Sequence, residues 1–421
     1  MHPLRGVLHN EVHARPPEAM SAPLALTHVV MVADAAARAA SREHLAALLR
    51  EHHLPAPAAD STHLRLDVAG FRVRWELHTE FVSWTFSRML EPQGIAAQEP
   101  PTAAQVVPRQ WLAALPGQCL AALHLWVLTG LEPAPNGLAR LLHEETLVGS
   151  RVAEGQGAVF TDFAIHADGY ARMVLHAGEL PARRLGRLVQ RLIEIETYRM
   201  AALLGLPAAR EAAAVLGVAE VELAALAEAI RLAGREQEPE LLDRLTRLAG
   251  QVESHYAATH ARFSASAAYF ELVDARVQEI RESRLGGLQT IGEFIERRLS
   301  PARATCAWSV RRQDALSQRV SRISNLLRTR VEIEQQQSSQ ALLATMNQRQ
   351  DLQLKLQATV EGLSVAAITY YIVGLVSYLA KGAHALGWPF SAEATAACAI
   401  PVVAAGVWLS LRRLHARLLG H

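Results

Sequence analysis

The spacing of apolar and polar residues changes twice along this chain of 421 residues. Up to about residue 180, short runs of β-branched and aromatic residues alternate with loops containing Pro and Gly, as in strands and turns. Beyond residue 181 the apolar residues recur at helical spacing. The pattern predicts an α+β fold in three parts: a mixed α/β cytoplasmic domain (1–180), a helical, coiled-coil-like stalk region (181–361) and a two-helix transmembrane hairpin with a short tail (362–421).

The first part is predicted to contain one amphipathic helix, at residues 35–53, and a series of short strands. The strands are expected at residues 24–31, 62–68, 71–78, 81–86, 119–129, 148–152, 158–166 and 170–176. Asp168 and Gly169, between the last two strands, form a typical hairpin turn.

The second part is predicted to be entirely helical, with helices at 182–204, 207–234, 239–284 and 291–299 and a break at Gly217. Residues 302–361 contain neither Gly nor Pro, so they can form one helix of about 90 Å. Its apolar residues follow a coiled-coil-like spacing of 4, 3, 4 and 4, at Leu316, Val320, Ile323, Leu327 and Val331. Such a helix needs partner helices, either from the same chain or from other subunits, and we expect a homo-oligomer.

Two apolar runs near the C-terminus, residues 362–380 and 394–411, contain no charged residue. Each would span at least about 27 Å as a helix, close to the thickness of the hydrocarbon core of a bilayer. Basic residues lie before the first run and after the second, so the positive-inside rule places both termini in the cytoplasm of a bacterial inner membrane. The alternative is a buried helical hairpin of a soluble protein.

Composition excludes some classes of partner. Lys and Arg total 42 and Asp and Glu total 41, so no overall basic charge indicates nucleic acid. Cys119, Cys306 and Cys398 are too far apart in the chain to indicate a zinc ribbon or a disulfide framework. The N-terminus has no apolar run typical of a signal peptide, so we expect the large N-terminal part to remain where it is made.

Two parts of the sequence resemble a bacterial family of uncharacterised, predicted membrane-anchored proteins, a domain of unknown function. The first comprises His-Pro-Leu-Arg at 2–5 and Asn-Glu-Val-His-Ala-Arg-Pro at 10–16. The second comprises Leu-Arg-Thr-Arg-Val at 327–331 and Gln-Ala-Thr-Val-Glu-Gly-Leu-Ser-Val-Ala-Ala-Ile-Thr-Tyr-Tyr at 357–371. The resemblance spans the whole chain and implies the anchored topology, but it implies no reaction.

The predicted architecture also resembles the CorA-type magnesium channels, in which a cytoplasmic α/β domain and a long stalk helix precede two membrane helices. This resemblance implies a pentamer whose first membrane helix lines the pore. Those channels carry Gly-Met-Asn just after that helix, whereas this chain reads Ser-Tyr-Leu-Ala-Lys-Gly at 377–382. The departure puts magnesium selection in doubt.

Small and hydroxyl residues fall on one face of the first apolar run, and an acidic residue precedes them. The candidate pore-lining residues are Glu361, Gly362, Ala366, Thr369, Tyr370 and Ser377. The alternative is close helix–helix packing, which uses the same residue types. The sequence therefore predicts either a CorA-like cation channel or transporter, or a non-conducting membrane-anchored scaffold or sensor whose cytoplasmic domain binds a ligand or partner.

A candidate metal or ligand site lies near the N-terminus, where two imidazoles and a carboxylate occur within five residues. It comprises His9, Glu11, His13 and Arg15, and the alternative is a structured arm bonded to the α/β domain. A second group of ionisable residues at His143, Glu144 and Glu145 is interpreted as a solvated boundary. No phosphate loop or nucleophile elbow occurs, so no enzymatic role is expected. The cofactor stays undetermined, with a divalent cation as one alternative.

Overall fold

The computed structural model describes residues 1–6, 8–9, 17–91, 100–129, 138–386 and 389–418. By its internal contacts the chain divides into two compact units, Met1–Ser324 and Asn325–His421. The predicted α+β class is confirmed, because a sheet domain forms the N-terminal part and long helices follow it. The three-part division at residues 180 and 361 stays a prediction.

One sheet of nine strands forms the centre of the first unit, in the order β2-β3-β4-β1-β5-β8-β7-β6-β9. Every pair of neighbours is antiparallel except β5 and β8, which are parallel. The strands are β1 (Leu24–Val32), β2 (His63–Val68), β3 (Phe71–Leu77), β4 (Phe81–Met89), β5 (Gln118–Leu128), β6 (Val148–Val152), β7 (Gly157–Thr161), β8 (Ala171–His176) and β9 (Ser283–Arg284). The sheet thus contains every predicted strand and one short addition, β9.

Seven helices are labelled here along the described chain. They are α1 (Ala35–Glu51), α2 (Arg109–Ala113), α3 (Ala182–Leu203), α4 (Gly205–Leu232), α5 (Glu238–Glu279), α6 (Ile291–Ala385) and α7 (Ala392–Leu418). Helix α3 covers one face of the central strands, where its leucines join Leu123 and Leu125 of β5 in the main core. Alternation along β5 points His124 and Trp126 to the opposite face.

Two predicted helix boundaries were wrong. Gly217 does not break α4, because Leu216 and Ala219 are buried on either side of it and tertiary packing outweighs the roughly 1 kcal/mol cost of a helical glycine. Residues 291–299 are not a separate helix but the start of α6. Its N-terminus is a capping box, in which Thr290 Oγ1 accepts the Glu293 N–H and the Glu293 carboxylate accepts the Thr290 N–H.

Within the first unit, α6 packs against helices of its own chain. Leu316 and Val320 of the predicted seam are buried. The Arg312 guanidinium donates to the Glu220 carboxylate of α4, and Gln313 bonds to Thr259 of α5. The partner helices for this part of the seam are therefore intramolecular.

The second unit contains the remainder of α6, followed by α7. Both helices are long and apolar enough to cross a membrane. A groove of about 740 Å³ is lined by residues of both helices, so the two apolar segments are neighbours in the structure.

Candidate functional site

Three side chains that could hold a metal ion meet where the loop between β7 and β8 passes the segment before β6. They are His143, Asp162 and His166. One carboxylate oxygen, Asp162 Oδ2, lies 2.9 Å from His166 Nε2 and 3.2 Å from His143 Nδ1. The two imidazole rings stack with their centroids 4.5 Å apart and their planes 10° from parallel. Both rings thus direct a nitrogen at the same oxygen.

Backbone hydrogen bonds hold the Asp162 carboxylate in this position. Its side chain is fully buried. The backbone N–H of His143 donates to Oδ2 at 2.9 Å, and the N–H of Ala164 donates to Oδ1 at 3.0 Å. The carboxylate therefore joins two segments that are nineteen residues apart in the chain.

Phe163, the residue after Asp162, makes its contacts on the side of the loop away from the two histidines. Phe163 has a φ of 51°, in the left-handed region that a bulky residue rarely adopts. Its ring stacks on Phe294 of α6 with a centroid distance of 4.6 Å, and the Arg199 guanidinium lies 5.1 Å from its centroid. Contacts in the core thus support the backbone turn that leaves the Asp162 carboxylate facing the two histidines.

The predicted turn at Asp168 and Gly169 is present, at the tip of a longer loop. Gly169 has a φ of 85° and donates its N–H to the His166 carbonyl, and the His166 N–H donates to the Tyr170 carbonyl. Strand β7, however, ends at Thr161 and not at residue 166 as predicted. The Asp162 carboxylate accepts the local N–H of Ala164 there, which offers the backbone an alternative to the strand ladder.

A second polar group joins the same loop, through Asp168, to the central strands β1 and β5. His124 is buried, its Nδ1 lies 2.9 Å from Thr27 Oγ1, and its Nε2 lies 3.9 Å from Asp168 Oδ2. Burial lowers the pKa of His124 to about 4. The order hydroxyl–imidazole–carboxylate is that of a hydrolase triad. The Thr27 hydroxyl is fully buried and also accepts the Ala104 N–H, so a substrate cannot reach it and the group is structural.

A family model described as "Protein of unknown function (DUF3422)" matches residues 1–418. The chain belongs to this family. The resemblance drawn from residues 2–16 and 327–371 is thereby confirmed. No curated protein and no solved structure matches the chain, and the likeness to CorA-type channels stays a prediction from architecture.

The N-terminal site predicted for this DUF3422 member is only partly described. His9 is exposed. Glu11, His13 and Arg15 lie outside the described residues. The N-terminal site therefore stays a prediction.

Four of the candidate pore residues of this family member line the groove between its two apolar helices. They are Ala366, Thr369, Tyr370 and Ser377, opposite Ala396 and Ile400 of α7. Thr369 is buried. Gly362 is exposed and Glu361 is partly exposed, at the start of the apolar segment. Thr369 is therefore covered on this face, whereas Tyr370 is largely exposed.

Asp162 and His166 of this DUF3422 chain are not among the site residues predicted from its sequence. Their four-residue spacing just before an Asp-Gly turn was the available signal. His143 was noted, but only as part of a local cluster with Glu144 and Glu145. Its actual partners come from a loop that the sheet topology brings alongside it.

Proposed function

We propose that this protein is a non-conducting scaffold or sensor, anchored in the bacterial inner membrane by the α6–α7 hairpin. In this proposal the sheet domain and the C-terminus lie in the cytoplasm. The proposal rests on Thr369, which is buried, and Ser377, which is partly buried, both lining a groove shared with Ala396 of α7. Close helix–helix packing in membranes uses such small and hydroxyl residues at the interface. In this proposal these residues pack against α7 and do not form the wall of an open pore.

The outward side chains of the hairpin suit a lipid environment. Leu363, Leu375, Leu379 and Val402 are each more than three-fifths exposed. An apolar surface of this extent on a soluble monomer would be unfavourable, whereas hydrocarbon chains accommodate it. These side chains support the anchoring part of the proposal.

One continuous helix supports the proposal that the protein acts as a sensor. Helix α6 begins at Ile291, and its Phe294 stacks on Phe163, the residue next to Asp162. The same helix continues into the apolar segment and ends at Ala385. A change at the Asp162 cluster would therefore act on a helix that runs without interruption toward the proposed anchor.

The orientation is tested by cysteine labelling in intact spheroplasts. In a C306S/C398S background, Cys119 reports on the sheet domain, and Ser391→Cys in a C119S version of the same background reports on the link between the two apolar segments. We expect a membrane-impermeant maleimide to label Ser391→Cys in intact spheroplasts and Cys119 only after permeabilisation. Labelling of Cys119 in intact spheroplasts would contradict the proposed orientation.

The non-conducting part is tested separately, with the full-length protein in proteoliposomes. We expect Mg²⁺, K⁺ and Na⁺ fluxes no greater than those of empty liposomes. A flux that the Ser377→Trp variant abolishes would overturn this part and favour the channel alternative.

A further inference from the structure

We infer that His143, Asp162 and His166 form a binding site for a divalent transition-metal ion of the zinc, cobalt and iron class. The inference does not depend on membrane anchoring, since all three residues belong to the first compact unit. It follows from the arrangement of the ligand atoms, from the charge of the buried carboxylate and from the access to the site.

The donor atoms are already close to the spacing that a metal ion requires. His143 Nδ1, Asp162 Oδ2 and His166 Nε2 all lie within 4.8 Å of one another. Metal–ligand distances of about 2.0–2.2 Å at tetrahedral angles place ligand atoms roughly 3.4 Å apart. The two nitrogen–oxygen distances, 3.2 and 2.9 Å, are slightly shorter than this value, so a metal ion would move the imidazoles apart from the carboxylate.

The Asp162 carboxylate favours a cation at this position. Its side chain is fully buried, and in the described part of the chain it bonds two backbone N–H groups and the His166 imidazole, with the His143 imidazole nitrogen 3.2 Å away and no Arg or Lys ion pair. A buried carboxylate without a positive partner is unfavourable. A metal ion supplies a positive charge next to this carboxylate.

The donor set and its exposure define the class of ion. Two imidazole nitrogens and one carboxylate oxygen suit zinc, iron, cobalt or nickel, whereas magnesium and calcium prefer oxygen ligands alone. The His143 side chain is 59% exposed, so an ion can reach the site from solvent. Three protein ligands leave a coordination position for water or another ligand.

The test uses the untagged full-length protein in detergent, stripped with EDTA and dialysed. Zinc is titrated by calorimetry, and cobalt is titrated by visible absorption, because the d–d bands report coordination number and ligand type. We expect one zinc ion per chain with micromolar or tighter affinity, and a cobalt spectrum typical of four or five nitrogen and oxygen ligands. The absence of saturable binding of either metal would overturn the inference.

Single substitutions of the two histidines, compared with a control histidine, show whether zinc binds at this site. His143→Gln removes an exposed ligand and should leave the fold intact, and we expect it to weaken zinc binding at least tenfold and to change the cobalt spectrum. His166→Gln should do the same. The control His260→Gln replaces an exposed histidine of α5 and should bind zinc like the wild type.

The N-terminal histidines are the main competing site. We expect His9→Gln/His13→Gln to retain zinc binding. Loss of binding in that variant, together with normal binding in His143→Gln, would overturn the assignment to Asp162 and its two histidines.

Discussion

Two histidines on the central strands are buried on opposite faces of the sheet. His28 lies between Thr85 Oγ1, at 2.8 Å, and Thr197 Oγ1, at 3.0 Å. Burial, followed by the nearby charges of Arg74 and His78, lowers the pKa of His28 to about 3. Burial likewise lowers the pKa of His124 to about 4. Both imidazoles therefore stay neutral in the folded protein at pH values where an exposed histidine is protonated.

We expect the free energy of unfolding to fall as the pH is lowered from about 6.5 toward 4. In this window the unfolded chain binds protons on these histidines and the folded chain does not, so protonation favours unfolding. Between pH 7 and pH 5 the loss is roughly 2 kcal/mol for each histidine. Urea unfolding of the detergent-solubilised chain, followed by tryptophan fluorescence at both pH values, measures it.

His124→Asn is the matched control. The amide can still bond Thr27 Oγ1 but cannot titrate, so about half of the pH dependence should disappear. An unchanged difference between pH 7 and pH 5 in this variant would show that His124 is not the titrating group.

At the scale of single elements, two helical glycines differ in their surroundings. A methyl group added at Gly186 of α3 would overlap the Glu18 carbonyl oxygen, because the segment before β1 crosses the helix there and the Met20 N–H donates to the Ala182 carbonyl. Gly250 of α5 has no neighbouring atom within 4 Å of such a methyl group. Only the first glycine is required by packing.

Gly186→Ala should therefore lower the free energy of unfolding by about 1–3 kcal/mol, because the crossing segment must move. Gly250→Ala should raise it by about 0.5–1 kcal/mol, because alanine restricts the unfolded chain and favours the helix. Urea unfolding of both variants under one set of conditions measures the difference. Effects of the same sign would mean that the crossing segment does not constrain α3.

At the scale of the whole molecule, the middle of α6 carries apolar residues without cover in the second unit. Leu342, Met346, Leu356 and Val360 are each about three-fifths exposed. Their separations of 4, 10 and 4 residues keep them on one seam of a heptad pattern. This seam supports the proposal that a second copy of the chain packs here.

We expect the wild-type protein to be a homo-oligomer by native mass spectrometry, and Leu342→Glu/Leu356→Glu to dissociate it, because charges on the seam oppose helix association. Leu354→Glu is the control, since Leu354 is equally exposed but lies off the seam. A wild-type monomer, or equal effects of both variants, would contradict the proposal. A pentamer that conducts cations would favour the channel alternative.

Local patterns in the sequence were enough to predict the eight longer strands and the two apolar helices, but they missed β9 and the short helix α2 and divided α6. Strand and helix periodicity depend on residues that are close in the sequence. The uncharged runs at 362–380 and 394–411 can likewise be read from the sequence without knowledge of tertiary contacts. The sequence also carried the family resemblance, which the match over residues 1–418 confirmed.

Only the tertiary structure decided which distant residues meet. It joined His143 to Asp162 and His166, directed Thr369 and Ser377 toward α7, and covered Leu316 with helices of the same chain. It also ended β7 at Thr161, where the Asp162 side chain accepts backbone N–H groups. These features depend on contacts between residues far apart in the chain, and periodicity and composition carry no information about such contacts.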